Sequence, residues 1–178
     1  MGRLVYALGL GLIGAGIVHI AVLLLVPVYS DRNAWSRITA QGEAYRFHVL
    51  DAGKDGGFHD PLFQLAACRF DLADGPVQVT ATGNVPFWSV SVHGRNGETL
   101  YSVNDRASTD GKLDLVVANR LQMVNLKKDL PEEAAASILA EEEMSEGFVL
   151  IRAYTPDPTW VPSVRRFLSE AGCETLPV

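Results

Sequence analysis

The apolar positions of this chain follow three successive periods. Residues 4–28 read LVYALGLGLIGAGIVHIAVLLLVPV and hold no Asp, Glu, Lys or Arg. At 1.5 Å per helical residue this stretch is about 37 Å long, enough to cross a hydrocarbon core of about 30 Å with some tilt. Only a helix satisfies its own backbone hydrogen bonds in lipid, so the pattern predicts a transmembrane helix. Residues 31–41 (DRNAWSRITAQ) predict a short separate helix capped by Asn33, with Trp35, Ile38 and Thr39 on one face.

The period then falls to two. Tyr45, Phe47 and Val49 alternate within residues 43–50 and predict a strand. Residues 51–61 (DAGKDGGFHDP) have the composition of a loop. Further strands are expected at 63–72, 77–81, 87–92, 100–103, 113–117, 120–126, 137–142 and 147–154, separated by turn residues. Trp88, Val90 and Val92 mark the inward face of the 87–92 strand, and Gly94-Arg95-Asn96-Gly97 predicts a hairpin turn. Pro131 stands at the first position of a short helical turn after Asp129 and Leu130. Short strands with regular turns point to a sandwich or a barrel. At the end Trp160, Val164, Phe167, Leu168 and Ala171 restore a helical stripe, with Asp157 or Thr159 as cap and Gly172 as stop.

Tyr6 and Tyr29 bracket the first helix as aromatic rings do at headgroup level. Arg3 and the amino terminus precede it, while Asp31 and Arg32 nearly cancel after it, which favours a cytoplasmic N-terminus. In a bacterial inner membrane the remaining chain is then periplasmic. A cleaved signal peptide ending near Val28, Tyr29 and Ser30 is the rival reading, although its apolar core would be about 7–15 residues and this run is longer. Ala7, Gly11 and Ala15 recur every four residues and form a small-residue ridge suited to close helix packing. His19 continues that ridge and faces either a partner helix or a local acceptor.

Composition narrows the functions. The chain of 178 residues has a formal net charge of −6. With no basic stripe to neutralise phosphates, nucleic acid is excluded as a partner, and the acidic balance argues against electrostatic docking on anionic lipid. His48, Asp51, Asp55, His59 and Asp60 crowd one loop, but their spacing fits neither an EF-hand nor a zinc pattern, and a surface loop is the simpler reading. No metal site and no cofactor motif is expected. Cys68 and Cys173 form an even pair, which in an oxidising compartment suggests a disulfide pinning the C-terminal helix to the sheet. Two buried thiols are the alternative. No nucleophile, base or phosphate-loop pattern appears, so no catalytic residue is named. Arg69, Trp88, Asn104, Asp105 and Arg106 are the candidate ligand contacts, weighed against a polar turn at 104–106 and a core Trp88.

The stretches LLLVPVYS, AWSRITAQG, DPLFQLAACRFDLADGPVQV, VPFWSVSV, LYSVNDR, NLKKDLPEE and EGFVLIRAYTPDPTWVPSV resemble, nearly over the whole chain, short membrane-anchored alphaproteobacterial proteins. Those proteins carry the domain of unknown function 1254. The resemblance implies an antiparallel β-sandwich and a companion protein bearing the domain of unknown function 1214. It implies no reaction. The expected architecture is therefore mainly β: a transmembrane anchor over 1–30, a juxtamembrane helix, strand and loop over 31–61, and a jelly-roll-like antiparallel β-sandwich with a C-terminal amphipathic helix over 62–178. The expected function is an envelope assembly or interaction module. The alternative is half of a ligand-binding or enzymatic site completed by the companion.

Overall fold

A computed structural model describes residues 2–50, 60–108 and 111–177, with the side chains of 27–34 and 133 excepted. Helix α1 (Gly2–Thr39) is followed by strands β1 (His48–Leu50), β2 (Phe63–Asp71), β3 (Val77–Ala81), β4 (Trp88–Gly94), β5 (Thr99–Asn104) and β6 (Leu113–Ala118). Helix α2 (Arg120–Lys128), strands β7 (Ile138–Glu141) and β8 (Glu146–Tyr154), helix α3 (Val161–Ser169) and strand β9 (Gly172–Thr175) complete the chain. The nine strands form a five-stranded sheet in the order β1-β2-β8-β4-β5 and a four-stranded sheet in the order β7-β6-β3-β9.

Alternation builds the core between the sheets. Ala66, Cys68 and Phe70 of β2, Trp88, Val90 and Val92 of β4, and Val149, Ile151 and Ala153 of β8 face Val77, Val79 and Ala81 of β3 and Leu113, Leu115 and Val117 of β6. Val164, Phe167 and Leu168 of α3 enter the same core. The outward faces are covered as well. Met123 and Leu126 of α2 pack on Val116 and Ala118. Ile38 of α1 is buried with Leu50, Leu65, Ala67 and Phe148 on the outside of the five-stranded sheet.

The structure corrects four sequence expectations. Residues 31–41 are not a separate helix capped by Asn33. Helix α1 runs unbroken from Gly2 to Thr39, through Pro27, which has no amide hydrogen to offer. Residues 120–126 are helix, not strand. Asn119 Oδ1 accepts the Gln122 N–H at 2.9 Å and Gln122 Oε1 accepts the Asn119 N–H at 3.0 Å, a reciprocal cap that starts α2. Its buried residues Met123 and Leu126 are three apart and share a helical face. The sandwich is not wholly antiparallel, because α2 carries the chain over so that β7 pairs parallel to β6. Gly172 is not a helix stop but opens β9, where a Cβ would come within 2.6 Å of Thr80 Oγ1.

Strand β1 is shorter than the alternation of 43–50 suggests, for a local reason. Tyr45 adopts φ 59°, a left-handed conformation that a bulky residue takes only when its surroundings enforce it. Its N–H donates to Arg69 O at 2.8 Å, and its hydroxyl lies 2.8 Å from Asp71 O and 2.5 Å from Asp74 Oδ2. Burial, reinforced by the Asp74 carboxylate, pushes the phenol pKa up to about 12.

The Cys68–Cys173 disulfide is formed across a sequence separation of 105 residues. Cys173 lies in β9 and Cys68 in β2, so the bond joins the two sheets and does not act on α3 itself.

Candidate functional site

The candidate site with the most coherent geometry is the junction where α1 meets the five-stranded sheet. The apolar run Gly2–Val26 has mean hydropathy 2.4, and none of it is covered by the rest of the chain. One end of the same helix then docks. Ile38 is buried, and the Trp35 ring lies 6.4 Å from the Phe148 ring at a tilt of 46°. Arg95, presented by the β4–β5 hairpin, places its guanidinium 5.7 Å from the Trp35 centroid and pairs with Glu146. An aromatic ring held under a cation in this way is worth about 0.5–1 kcal/mol at an exposed site. The exposed ion pair adds little. Burial of Ile38 and Trp35 against Phe148 is the larger contribution.

The sheet sequence supplies the platform. Outward residues alternate with core residues along each strand, and Leu65, Ala67, Phe148 and Leu150 make the outer face apolar where the helix lands. The hairpin turns as the sequence predicts: Gly97, with φ 87°, donates to Gly94 O at 2.9 Å. That turn sets Arg95 beside the helix.

Beneath Arg95 lies a group that the sequence reading passed over. His93 stacks on Phe148 with centroids 4.8 Å apart and planes 10° from parallel. Its Nδ1 lies 3.3 Å from Gly97 O and its Nε2 lies 2.8 Å from Ser91 Oγ. A carbonyl only accepts, so neutral His93 carries its proton on Nδ1 and takes the Ser91 hydroxyl proton at Nε2. Burial lowers the His93 pKa below 6.5, with the Gly97 hydrogen bond and Glu98 opposing the shift. The S-x-H spacing on an alternating strand is the sequence signal that placed both residues on one face.

This arrangement yields a pH prediction. Below its usual pKa an unfolded His93 is protonated while the folded one stays neutral, so the unfolded chain holds more protons and stability falls as pH drops. The contribution is intact above pH 6.5 and is lost as pH falls toward the lowered folded value. The melting temperature of the wild type should decline more between pH 7.5 and 5.5 than that of His93→Gln. Parallel declines would show that His93 does not couple to folding.

The ligand candidates read from the sequence are not brought together. Arg69 aligns with Phe148 and His93, whereas Asn104 aligns with Ser89 and Arg152. They are offset by four residues along the strands and three strands across, roughly 14 Å in each direction. Arg69 is half-buried, and its Nε has no hydrogen-bond partner among the described residues. Asn104 Oδ1 accepts the Arg106 N–H at 3.1 Å and caps a 3₁₀ turn over Asp105–Ala107. The Ser108 hydroxyl donates to Asp105 O at 2.6 Å, and Arg106 is exposed. The polar-turn reading of 104–106 describes this segment. Trp88 is core, 2% exposed, with its indole N–H donated to Gly111 O at 3.0 Å.

Ala7, Gly11, Ala15 and His19 all lie on uncovered parts of α1, and a Cβ added at Gly11 would meet nothing within 4 Å. Of the loop cluster, Asp51, Asp55 and His59 lie outside the described residues. Asp60 Oδ2 pairs with Arg152 at 3.2 Å. His48 Nε2 lies 3.1 Å from Glu43 O. Among the described residues no three His, Cys, Asp or Glu side chains gather into a metal-binding group.

No family model matches the chain, and no curated protein matches it. Two solved structures align with much of the chain. The VPA0106 protein of Vibrio parahaemolyticus aligns over 84% of this chain with a TM-score of 0.56 and 12% identity. A putative uncharacterized protein from Burkholderia cenocepacia aligns over 84% with a TM-score of 0.44 and 15% identity. This chain spans 38% of the first of those chains and 43% of the second. At 12% identity the likeness to the Vibrio protein shows a shared sandwich fold.

Proposed function

We propose that this is a single-pass inner-membrane protein, N-terminus cytoplasmic, whose periplasmic β-sandwich serves as an envelope assembly or interaction module. The supporting observation is the unbroken α1, which carries an uncovered apolar run at one end and packs Trp35 and Ile38 onto the sheet at the other. A signal sequence has the same composition, but removal after Ser30 would cut the helix that holds those two residues. The disulfide supports an oxidising compartment, since such bonds persist outside the cytoplasm.

The partner we propose is a companion membrane-anchored protein with the domain of unknown function 1214, and the family we propose is that of the domain of unknown function 1254. The ridge Ala7-Gly11-Ala15, spaced by four residues, with His19 beyond it, is the face offered to the partner's helix. Purification from native membranes in mild detergent, followed by mass spectrometry, tests this. A second anchored β-domain protein should accompany the wild type and be lost when Ala7, Gly11 and Ala15 are all replaced by Leu. Recovery of the wild-type chain alone would overturn the companion, and undiminished recovery with the triple variant would overturn the ridge.

A further inference from the structure

Strand alternation assigns the positions that face the core, and at one end of the sandwich two polar residues occupy them. Gln64 precedes Ala66, Cys68 and Phe70 by the two-residue period of β2, and Thr155 follows Val149, Ile151 and Ala153 by the same period beyond β8. The two segments are neighbours: Gln64 pairs with Ala153, and the Thr155 N–H donates to Leu62 O at 2.8 Å. Both side chains therefore enter the mouth of the sandwich beneath α3. Thr155 is only 8% exposed. Its Oγ1 and the Gln64 Oε1 are both buried with no hydrogen-bond partner among the described residues. Each buried polar atom left this way weakens the fold, and native proteins keep few of them.

Gln64 and Thr155 are among the residues lining a cleft of about 370 Å³, at the lower end of the range for small-molecule sites. Its walls are apolar: Val49 and Leu50 from β1, Pro61, Leu62 and Phe63 from the start of β2, Pro156 and Pro158 after β8, and Val161 from α3. Two carboxylates stand at the cleft, and both are already engaged. Asp60 accepts from Leu62 N–H at 3.0 Å and pairs with Arg152, and Asp157 Oδ1 accepts the Thr159 N–H at 2.8 Å and its hydroxyl. Arg165 of α3 also lines the cleft and already has an interaction of its own. The polar groups that then choose a ligand are one amide oxygen, which accepts, and one hydroxyl, which donates and accepts.

We propose that this cleft binds a small neutral molecule with an apolar body and a hydroxyl group. A hydroxyl satisfies both orphans at once: it donates to Gln64 Oε1 and accepts from Thr155 Oγ1. A hydrocarbon leaves both unpaired, and a cation gains no free carboxylate. The site does not depend on the membrane companion, and loss of that partner leaves it unchanged.

The test is methyl NMR on the full chain in detergent micelles, with cyclohexanol as probe. Methylcyclohexane and cyclohexylammonium serve as comparisons of similar body. Cyclohexanol should give saturable shifts at the methyls of Val49, Leu62, Thr155 and Val161, with at least tenfold tighter binding than either comparison. Thr155→Val should weaken cyclohexanol at least tenfold, and Thr155→Ser should restore it. The same Thr155→Val change should raise the melting temperature by about 2–4 °C, because it removes an unpaired hydroxyl. That combination, a more stable protein that no longer binds, separates a ligand site from a structural one. Equal binding of methylcyclohexane, tighter binding of cyclohexylammonium, or shifts that never saturate would each overturn the proposal.

Discussion

Reduction of the Cys68–Cys173 bond should lower the melting temperature of the sandwich by roughly 10–15 °C. The bond spans 105 residues, so it restricts the unfolded chain over most of the domain. Chain-entropy reasoning sets an upper value of about 4.7 kcal/mol for a loop near that length. A domain of this size shifts by about 2–4 °C per kcal/mol. The position of the bond adds a local effect. Among the described residues strand β9 is an edge strand that pairs only with β3, and the sulfur bridge ties it to β2 of the opposite sheet. Thermal unfolding with and without reductant, repeated on Cys68→Ala/Cys173→Ala, measures the loss. Hydrogen exchange should quicken first at the β9 amides, residues 172–175. A shift below about 3 °C would mean that the reduced unfolded chain retains compact structure.

Trp88→Ala should cost about 3–5 kcal/mol, the usual range for emptying a buried aromatic site. Trp88 is among the largest fully buried side chains, and it faces the opposite sheet. It also donates to Gly111 O, which sits at φ 69° just before β6. Trp88→Phe keeps most of the apolar volume but leaves that carbonyl without its donor, so about 1–3 kcal/mol is expected. Urea unfolding of the two variants separates packing from hydrogen bonding. Equal losses for Phe and Ala would place the whole effect in the bond to Gly111. A loss below 1 kcal/mol for Ala would remove Trp88 from the core and return it to the ligand candidates.

Strongly periodic segments were legible in the sequence. β3 starts and ends where the alternation of Val77, Val79 and Ala81 does, and Trp88, Val90 and Val92 are buried on the expected face. The stripe of α3 is buried at Val164, Phe167 and Leu168. Elements decided by one or two local bonds were harder to read. In 120–126 the apolar residues fit either period, and the reciprocal cap of Asn119 and Gln122 decided for helix. β9 has one buried residue in four and exists because β3 offers an edge beside it. β1 stops short because Tyr45 reverses the backbone through contacts with residues 69–74, distant in sequence.

The site was less legible than the fold. Arg69 and residues 104–106 drew attention as polar residues in a β-rich chain, but register separates them. Gln64 and Thr155 were visible as polar residues at the parity of a core face. Recognising them requires knowing that β2 and β8 are neighbours, although one starts at Phe63 and the other at Glu146. The pairing of Trp35 with Phe148 is nonlocal in the same way.

The unbroken α1 is an axle for the sandwich. Each residue of an α-helix advances the chain 1.5 Å and turns it by about 100°. One residue inserted between Val26 and Trp35 would swing the sandwich by about 100° around the helix, while seven would return it to within about 20° of its original heading. In the membrane setting proposed above, the face that the domain turns toward a neighbour is thereby geared to the face of the apolar run that meets that neighbour's helix.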